Sequence, residues 1–398
     1  MQTKSVKRPT LLLLLYCVAG GLLYYAMLRI QPRLPHIIFD YAAWDGNRSG
    51  NILWRIMWLL GDPSEPHFHK TILGGLGMTA GSLFAYWLYK RRSPLCFTPI
   101  GYGKGKLWTG VFWASTLSLV IAGIIFGGLH VDNDQYVSTY VCYVSVAGAI
   151  ILSYGYSASS VVTGAVLGAL TTVPVAIWMR NVVCLPNELP GGIATVCGMW
   201  IGGIISFEVC EHLPYMKSEK LRKTLQETDD LNIKVDDSYK YSCPNKFFFR
   251  RILCDFSEPV FAANEWASAF LIIGSMVTWF LNPDQPFYGN KMFPALIFCE
   301  ILTTGFAMWF YWNEWMERDF VPTFVPLVSV APACIMQYGD SLFVIIFASV
   351  TGALIAPAVA DAFNERKPAH WHNMIGFTFS MAATTWLVVV ILRFLLMI

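Results

Sequence analysis

Apolar runs long enough to cross a bilayer, about 20 residues each, recur along nearly the whole chain. Eleven are legible, at about 9–30, 70–89, 107–128, 136–154, 157–179, 191–210, 259–281, 292–312, 321–338, 341–362 and 374–396. Tryptophans cluster near several of their ends (Trp87, Trp108, Trp178, Trp279, Trp312, Trp371), where rings anchor at headgroup depth. The first run follows Lys4, Lys7 and Arg8 as a secretory signal would. It is too long for one, however, and no small-x-small cleavage site closes it before Arg29 and Arg33, so it reads as an uncleaved helix.

The same pattern contains a duplication. Residues 137–149 read VSTYVCYVSVAGA and residues 321–333 read VPTFVPLVSVAPA, and the register continues without a gap through Tyr154-Gly155 and Tyr338-Gly339 to Val175-Ala176 and Val359-Ala360. Of the 40 positions from 137 to 176, 18 are identical at a spacing of 184. Internal repeats decide architecture ahead of local motifs.

Composition agrees with the runs. The 398 residues are 55% hydrophobic and 14% charged, too apolar for an ordinary soluble protein. A net charge of +2 gives no sign of nucleic-acid binding. Seven of the ten cysteines lie in or beside apolar runs with no CxxC and read as packing residues.

The Lys/Arg bias orients the chain. With the N-terminus inside and alternating crossings, 20 of the 28 basic residues fall on the cytoplasmic side. The expected fold class is an all-α, polytopic membrane protein of about 11 transmembrane helices: one N-terminal anchor helix, then two inverted five-helix repeats. The expected divisions are 1–69 (anchor helix and external amphipathic segment, with Ile52–Leu60 lying on the surface), 70–210 (repeat one), 211–258 (cytoplasmic linker, its basic-aromatic 247–252 at the headgroups) and 259–398 (repeat two). Two copies of a five-crossing unit in series face opposite ways, and the loop His130–Gln135 then lies outside while its counterpart Glu314–Asp319 lies inside. A re-entrant segment, suggested by Ser153–Ser157, would make the copies parallel instead.

Inverted repeats build transporters with sites near the bilayer midplane. The expected function is therefore translocation of a small molecule or ion, ion-coupled, with the lipid bilayer as surroundings, a homo-oligomer compatible with it, and no cofactor. Glu300, nine residues into its run, is the sharpest candidate, because an unpaired buried carboxylate is costly; its repeat counterpart is Thr116, beside Ser115. Ser145 and Ser329, Pro326 and Pro332, the close-packing Gly168 and Gly352, and Asp340 complete the pathway set. Glu188 and His372 face each other by repeat register as gates, the His titrating near neutral pH. His67-Phe-His69 and His370-Trp-His372 suit a metal by spacing, but the topology separates them and no metal site is expected. An alternative is a membrane-embedded enzyme acting on a lipid-linked substrate through Glu365, Arg366, His370 and His372. A second is a non-transporting assembly or immunity factor. GxSxG, Walker, HExxH and GxGxxG signatures are absent.

The repeat, with its YG…GAL…P core and a His/Pro loop ahead of the final run, resembles a bacterial family of duplicated integral-membrane domains of unknown function. The resemblance is best over 136–210 and 321–398. It implies a bacterial inner (plasma) membrane and carries over no site residues.

Overall fold

The computed structural model describes residues 7–127, 138–229 and 238–397, so the loop His130–Gln135, including Asp132 and Asp134, lies outside the described residues. In chain order the principal helices are α1 (Thr10–Arg33), α2 (Ile52–Gly61), α3 (Ile72–Lys90), α4 (Gly105–Ile125), α5 (Val146–Tyr154), α6 (Ala158–Asn187), α7 (Gly191–His212), α8 (Pro244–Asp255), α9 (Glu265–Leu281), α10 (Phe293–Phe310), α11 (Val330–Tyr338), α12 (Leu342–Asn364) and α13 (Met374–Leu395). Seven of these (α1, α4, α6, α7, α10, α12 and α13) are long and apolar enough to cross a membrane. The pair formed by Ile52–His67 and α3, bent by 78°, passes the same test jointly. The chain is a polytopic helical membrane protein.

Of the about eleven expected transmembrane helices, seven, or eight with the bent pair, are long and apolar enough to cross. The runs at 136–154 and 321–338 are not single helices. Each begins in tight turns, breaks at a serine and ends in a nine-residue helix, α5 or α11. Ser145 (φ −135°, ψ −107°) and Ser329 (φ −146°, ψ −70°) are both non-helical. Their hydroxyls turn back on the carbonyls of Val141 and Val325, which the break would otherwise leave unpaired. In the second copy Pro322 and Pro326 also lack the N–H a helix needs. Pro332 causes no break: it sits in the first turn of α11, where N–H groups have no intrahelical partner anyway. Both short helices end at a glycine with positive φ, Gly155 at 101° and Gly339 at 83°. Serines then cap the following helices, Ser157 for α6 and Ser341 for α12, as N-caps should. The duplicated sequence thus carries a duplicated local backbone.

Helices that hold the same place in the two copies pack against each other. On α3 and α9, Gly74 abuts Ser275, Gly77 abuts the Phe270 carbonyl, and Gly81 abuts Trp266. Numbers rise on one helix as they fall on the other, so the pair is antiparallel. The pair α7 and α13 follows the same rule: Trp200 meets Phe379 (5.7 Å), Gly203 meets Ile375, and Phe207 meets His372 (6.5 Å).

The stretch expected as a linker contributes to the core. Phe248, Arg251 and Ile252 of α8 are buried, and Phe248 packs on the Trp312 ring at 6.4 Å. On α2, Ile52 and Leu53 are 64% exposed while Trp58 is 1% exposed, an apolar outer face with one inward anchor.

Candidate functional site

Two turns of one sequence pattern flank the centre of the molecule. Asp62-Pro-Ser-Glu-Pro-His-Phe68 precedes α3, and Asp255-Phe-Ser-Glu-Pro-Val-Phe261 precedes α9. Both phenylalanines lie in the left-handed region, Phe68 at φ 63° and Phe261 at φ 56°. Ser64 accepts from Thr71 N–H at 2.9 Å and reaches the Thr71 carbonyl at 3.0 Å; Ser257 does the same with Asn264 at 2.7 and 2.9 Å. Thr71 and Asn264 in turn cap α3 and α9. Each turn docks on the other copy: Phe287 N–H donates to the His69 carbonyl at 2.9 Å, and Gly101 N–H to the Ala262 carbonyl at 3.0 Å.

Both turns bury one cation between two carboxylates. In the first, Lys70 is bound to Asp62 and to Glu65, the latter at 2.7 Å, with all three side chains fully buried. Thr139 donates to Asp62 at 2.6 Å and Tyr288 to Glu65 at 3.3 Å. Lys70 also lies 3.9 Å from the Trp58 ring centre, and Arg48 lies 4.6 Å from the same ring, so cation–π attraction adds to the pairing. In the second, Arg251 binds Asp255 at 2.9 Å and also Glu258, and stacks on Trp315 at 4.8 Å. Thr323, the repeat counterpart of Thr139, faces the Asp255 carboxyl. It does not close a bond to it: Thr323 Oγ1 and Asp255 Oδ2 are both buried and unpartnered.

Between the copies lies a cavity of about 450 Å³. Its walls include three pairs of corresponding residues: Pro66 and Pro259 from the turns, Tyr140 and Phe324, and Val144 and Val328 from the duplicated segments. Phe261, Phe377 and Met381 make the lining largely apolar, and Lys104, Glu258 and His372 bring charge or hydrogen-bonding capacity to it. His372 does not titrate near neutral pH as expected from its type. Burial, with Lys367 and Lys104 nearby, pushes its imidazole down to about 4. Its Nδ1 accepts from Met374 N–H at 3.1 Å, which leaves the proton of the neutral ring on Nε2.

Glu300 is buried in α10, 1% exposed, and its partner is His69 at 3.1 Å. The other ring nitrogen of His69 meets Ser275 at 2.8 Å. A Ser–His–Glu line is the connectivity of a nucleophilic triad, yet Ser275 Oγ is enclosed by Thr71 at 3.2 Å and by Gly74. An acyl carbon has no approach to it, and none of the three residues lines the cavity. The arrangement ties the first turn to the second copy. His67 is fully buried and stacks on Phe256 at 5.7 Å. Among the described residues no cluster of three or more His, Cys, Asp or Glu could hold a metal ion.

The other candidates have separate places. Ser115 is buried without a hydrogen-bond partner, and Thr116 is half-buried. Gly168 and Gly352 admit close neighbours, Ser118 and Val330 respectively. Asp340 is exposed at the turn before α12. Glu188 is an exposed left-handed residue 3.8 Å from Arg393, so it does not mirror the half-buried His372. His370 pairs with Glu208 at 2.9 Å, whereas His372 faces the cavity. Pro326 is buried and does not line the cavity.

The two turns are the buried charged feature that reading by hydrophobic runs misses. The signal was present as the recurring Asp-x-Ser-Glu-Pro-x-Phe, 193 residues apart.

No family, characterised protein or solved structure matches the chain.

Proposed function

We propose that the protein translocates a small solute across the membrane, coupled to an ion, through the cavity between its two copies, which are inverted relative to one another. The observation that carries this is the cavity wall itself, built from corresponding residues of the two copies (Tyr140 and Phe324, Val144 and Val328). A site shared by two halves of opposite orientation can open to either face by rocking one half against the other. The antiparallel packing of α3 on α9 and of α7 on α13 supports inversion, since corresponding elements of parallel copies run the same way. It also favours the broken segments 138–154 and 321–338 as full crossings, which makes each unit odd. Broken backbone at membrane depth is tolerated where it lines a cavity.

The test uses Val144→Cys and Val328→Cys, singly, in a cysteine-depleted protein in sealed vesicles of known orientation. A membrane-impermeant maleimide should label each cysteine when applied from either face. Labelling from one face only would refute translocation and leave a one-sided binding pocket.

A further inference from the structure

The lining of the cavity between the copies selects a class of ligand. Five of its residues carry rings, Tyr140, Phe261, Phe320, Phe324 and Phe377, and three are methionines, Met199, Met374 and Met381. Rings offer flat apolar contact, and methionines mould to irregular shapes. The volume of about 450 Å³ falls within the range of about 300–1,000 Å³ that encloses a whole small molecule.

Most polar groups of this lining are already spent. Tyr140 donates to Thr195 at 3.0 Å, and Thr378 donates to the Met374 carbonyl at 2.9 Å. Lys104 and Glu258 bring one charge of each sign, and neither is free: Glu258 holds Arg251, and Lys104 has a partner of its own. Asn373 is exposed. His372 differs from all of these. Its ring packs against Phe207 and Phe261, at 6.5 and 6.2 Å. Its Nδ1 is taken by Met374 N–H, and its Nε2–H has no partner among the described residues.

We propose that the cavity takes an uncharged, ring-bearing and largely apolar molecule with a hydrogen-bond acceptor, and that His372 Nε2–H recognises the acceptor. That this ligand is the cargo rests on the reading of the cavity as a translocation site. A charged solute would leave water for an apolar wall whose two charges cancel, and burying an unpaired charge is costly. A wholly apolar solute would strip water from the imidazole N–H without replacing the hydrogen bond. A carbonyl or ether oxygen on an apolar body meets both demands. Burial, with Lys367 and Lys104 nearby, keeps the imidazole neutral. Recognition is therefore by a hydrogen bond from one nitrogen and not by charge.

Photolabelling of the purified full-length protein in lipid nanodiscs with benzophenone tests this. Benzophenone is uncharged and bears two rings and a carbonyl acceptor. On irradiation its carbonyl oxygen takes a hydrogen from a nearby C–H, and its carbonyl carbon bonds to the carbon left behind. Adducts mapped by mass spectrometry should be saturable on Met199, Met374 and Met381 but not on Met336, which is 39% exposed and outside the cavity. Fluorenone should suppress the cavity adducts at a membrane concentration about two- to tenfold lower than fluorene, the gain expected of one hydrogen bond; fluorene has the same rings and no acceptor. In His372→Phe that preference should be lost. Partitioning of the competitors is the same for both proteins, so the change between them reports the bond alone. The proposal would be overturned by cavity methionines without saturable adducts, by equal competition from fluorenone and fluorene in the native protein, or by a preference that survives in His372→Phe. Diphenylacetate, a charged counterpart, competing better than fluorenone would overturn it too. All but one of these outcomes are read on the native protein, so they decide the matter should the variant fold poorly. Failure here is separable from failure of translocation. Cavity adducts with one-sided labelling of Val328→Cys remove only the pathway, and two-sided labelling without cavity adducts removes only the ligand class.

Discussion

The hydroxyl of Ser64 engages both backbone polar atoms of Thr71, seven residues further on, at 2.9 and 3.0 Å. Ser257 engages Asn264 in the same way. These serines close the two turns that bring the buried triads and the cavity-lining prolines into place. Replacing either by alanine leaves a buried backbone N–H unpaired, which costs about 1–3 kcal/mol, while the Thr71 and Asn264 carbonyls keep the Gly75 and Ser268 N–H groups. Ser64→Ala and Ser257→Ala should each lower the midpoint of thermal unfolding in detergent, and by similar amounts.

The antiparallel contact of α3 and α9 depends on backbone approach at Gly77 and Gly274, where a methyl group would overlap the Phe270 and Leu73 carbonyls. Backbone cannot yield as a side chain can. Gly77→Ala and Gly274→Ala should each destabilise by about 1–3 kcal/mol, the usual range for overpacking. Gly46→Ala, where nothing lies within 4 Å, is the matched control and should unfold like the native protein.

Lys70→Met removes the cation bound to both Asp62 and Glu65. Stranding buried charge typically costs about 3–5 kcal/mol. The loss should be largely recovered when Asp62→Asn and Glu65→Gln are added, as read by the yield of monodisperse protein and its unfolding midpoint. A triple variant as unstable as Lys70→Met alone would show that the lysine acts by packing rather than by charge.

His372 is held neutral, its imidazole near 4 against about 6.5 for an ordinary histidine. Between those values the unfolded chain binds a proton that the folded one does not, so this group's contribution to stability is lost as pH falls from about 6.5 towards 4. His372→Gln should flatten that part of the stability–pH curve. An identical curve in the variant would mean that other groups govern acid unfolding.

Glu300 was legible as a buried carboxylate in an apolar run, and its burial is as expected. Its partner was not legible, because His69 sits in a polar turn 231 residues away that charge patterning assigns to the membrane exterior. The copied segments 137–149 and 321–333 announced the duplication, and their serines were visible as matched polar positions. What hydropathy could not show is that Ser145 and Ser329 spend their hydroxyls on the carbonyls of a broken helix. The second pair of copied turns was hidden for a different reason. It recurs at a spacing of 193 rather than 184, so one ungapped register cannot capture both, and its charges resemble those of a solvated loop until the fold buries them.

The central claim is that two copies of one unit face opposite ways around the cavity. The most direct measurement places single cysteines in corresponding loops, Arg92→Cys between α3 and α4 and Lys291→Cys between α9 and α10, in a cysteine-depleted protein in sealed vesicles. Labelling by an impermeant reagent from opposite faces is the predicted result. Labelling of both from the same face would contradict inversion, and with it a translocation pathway between the copies.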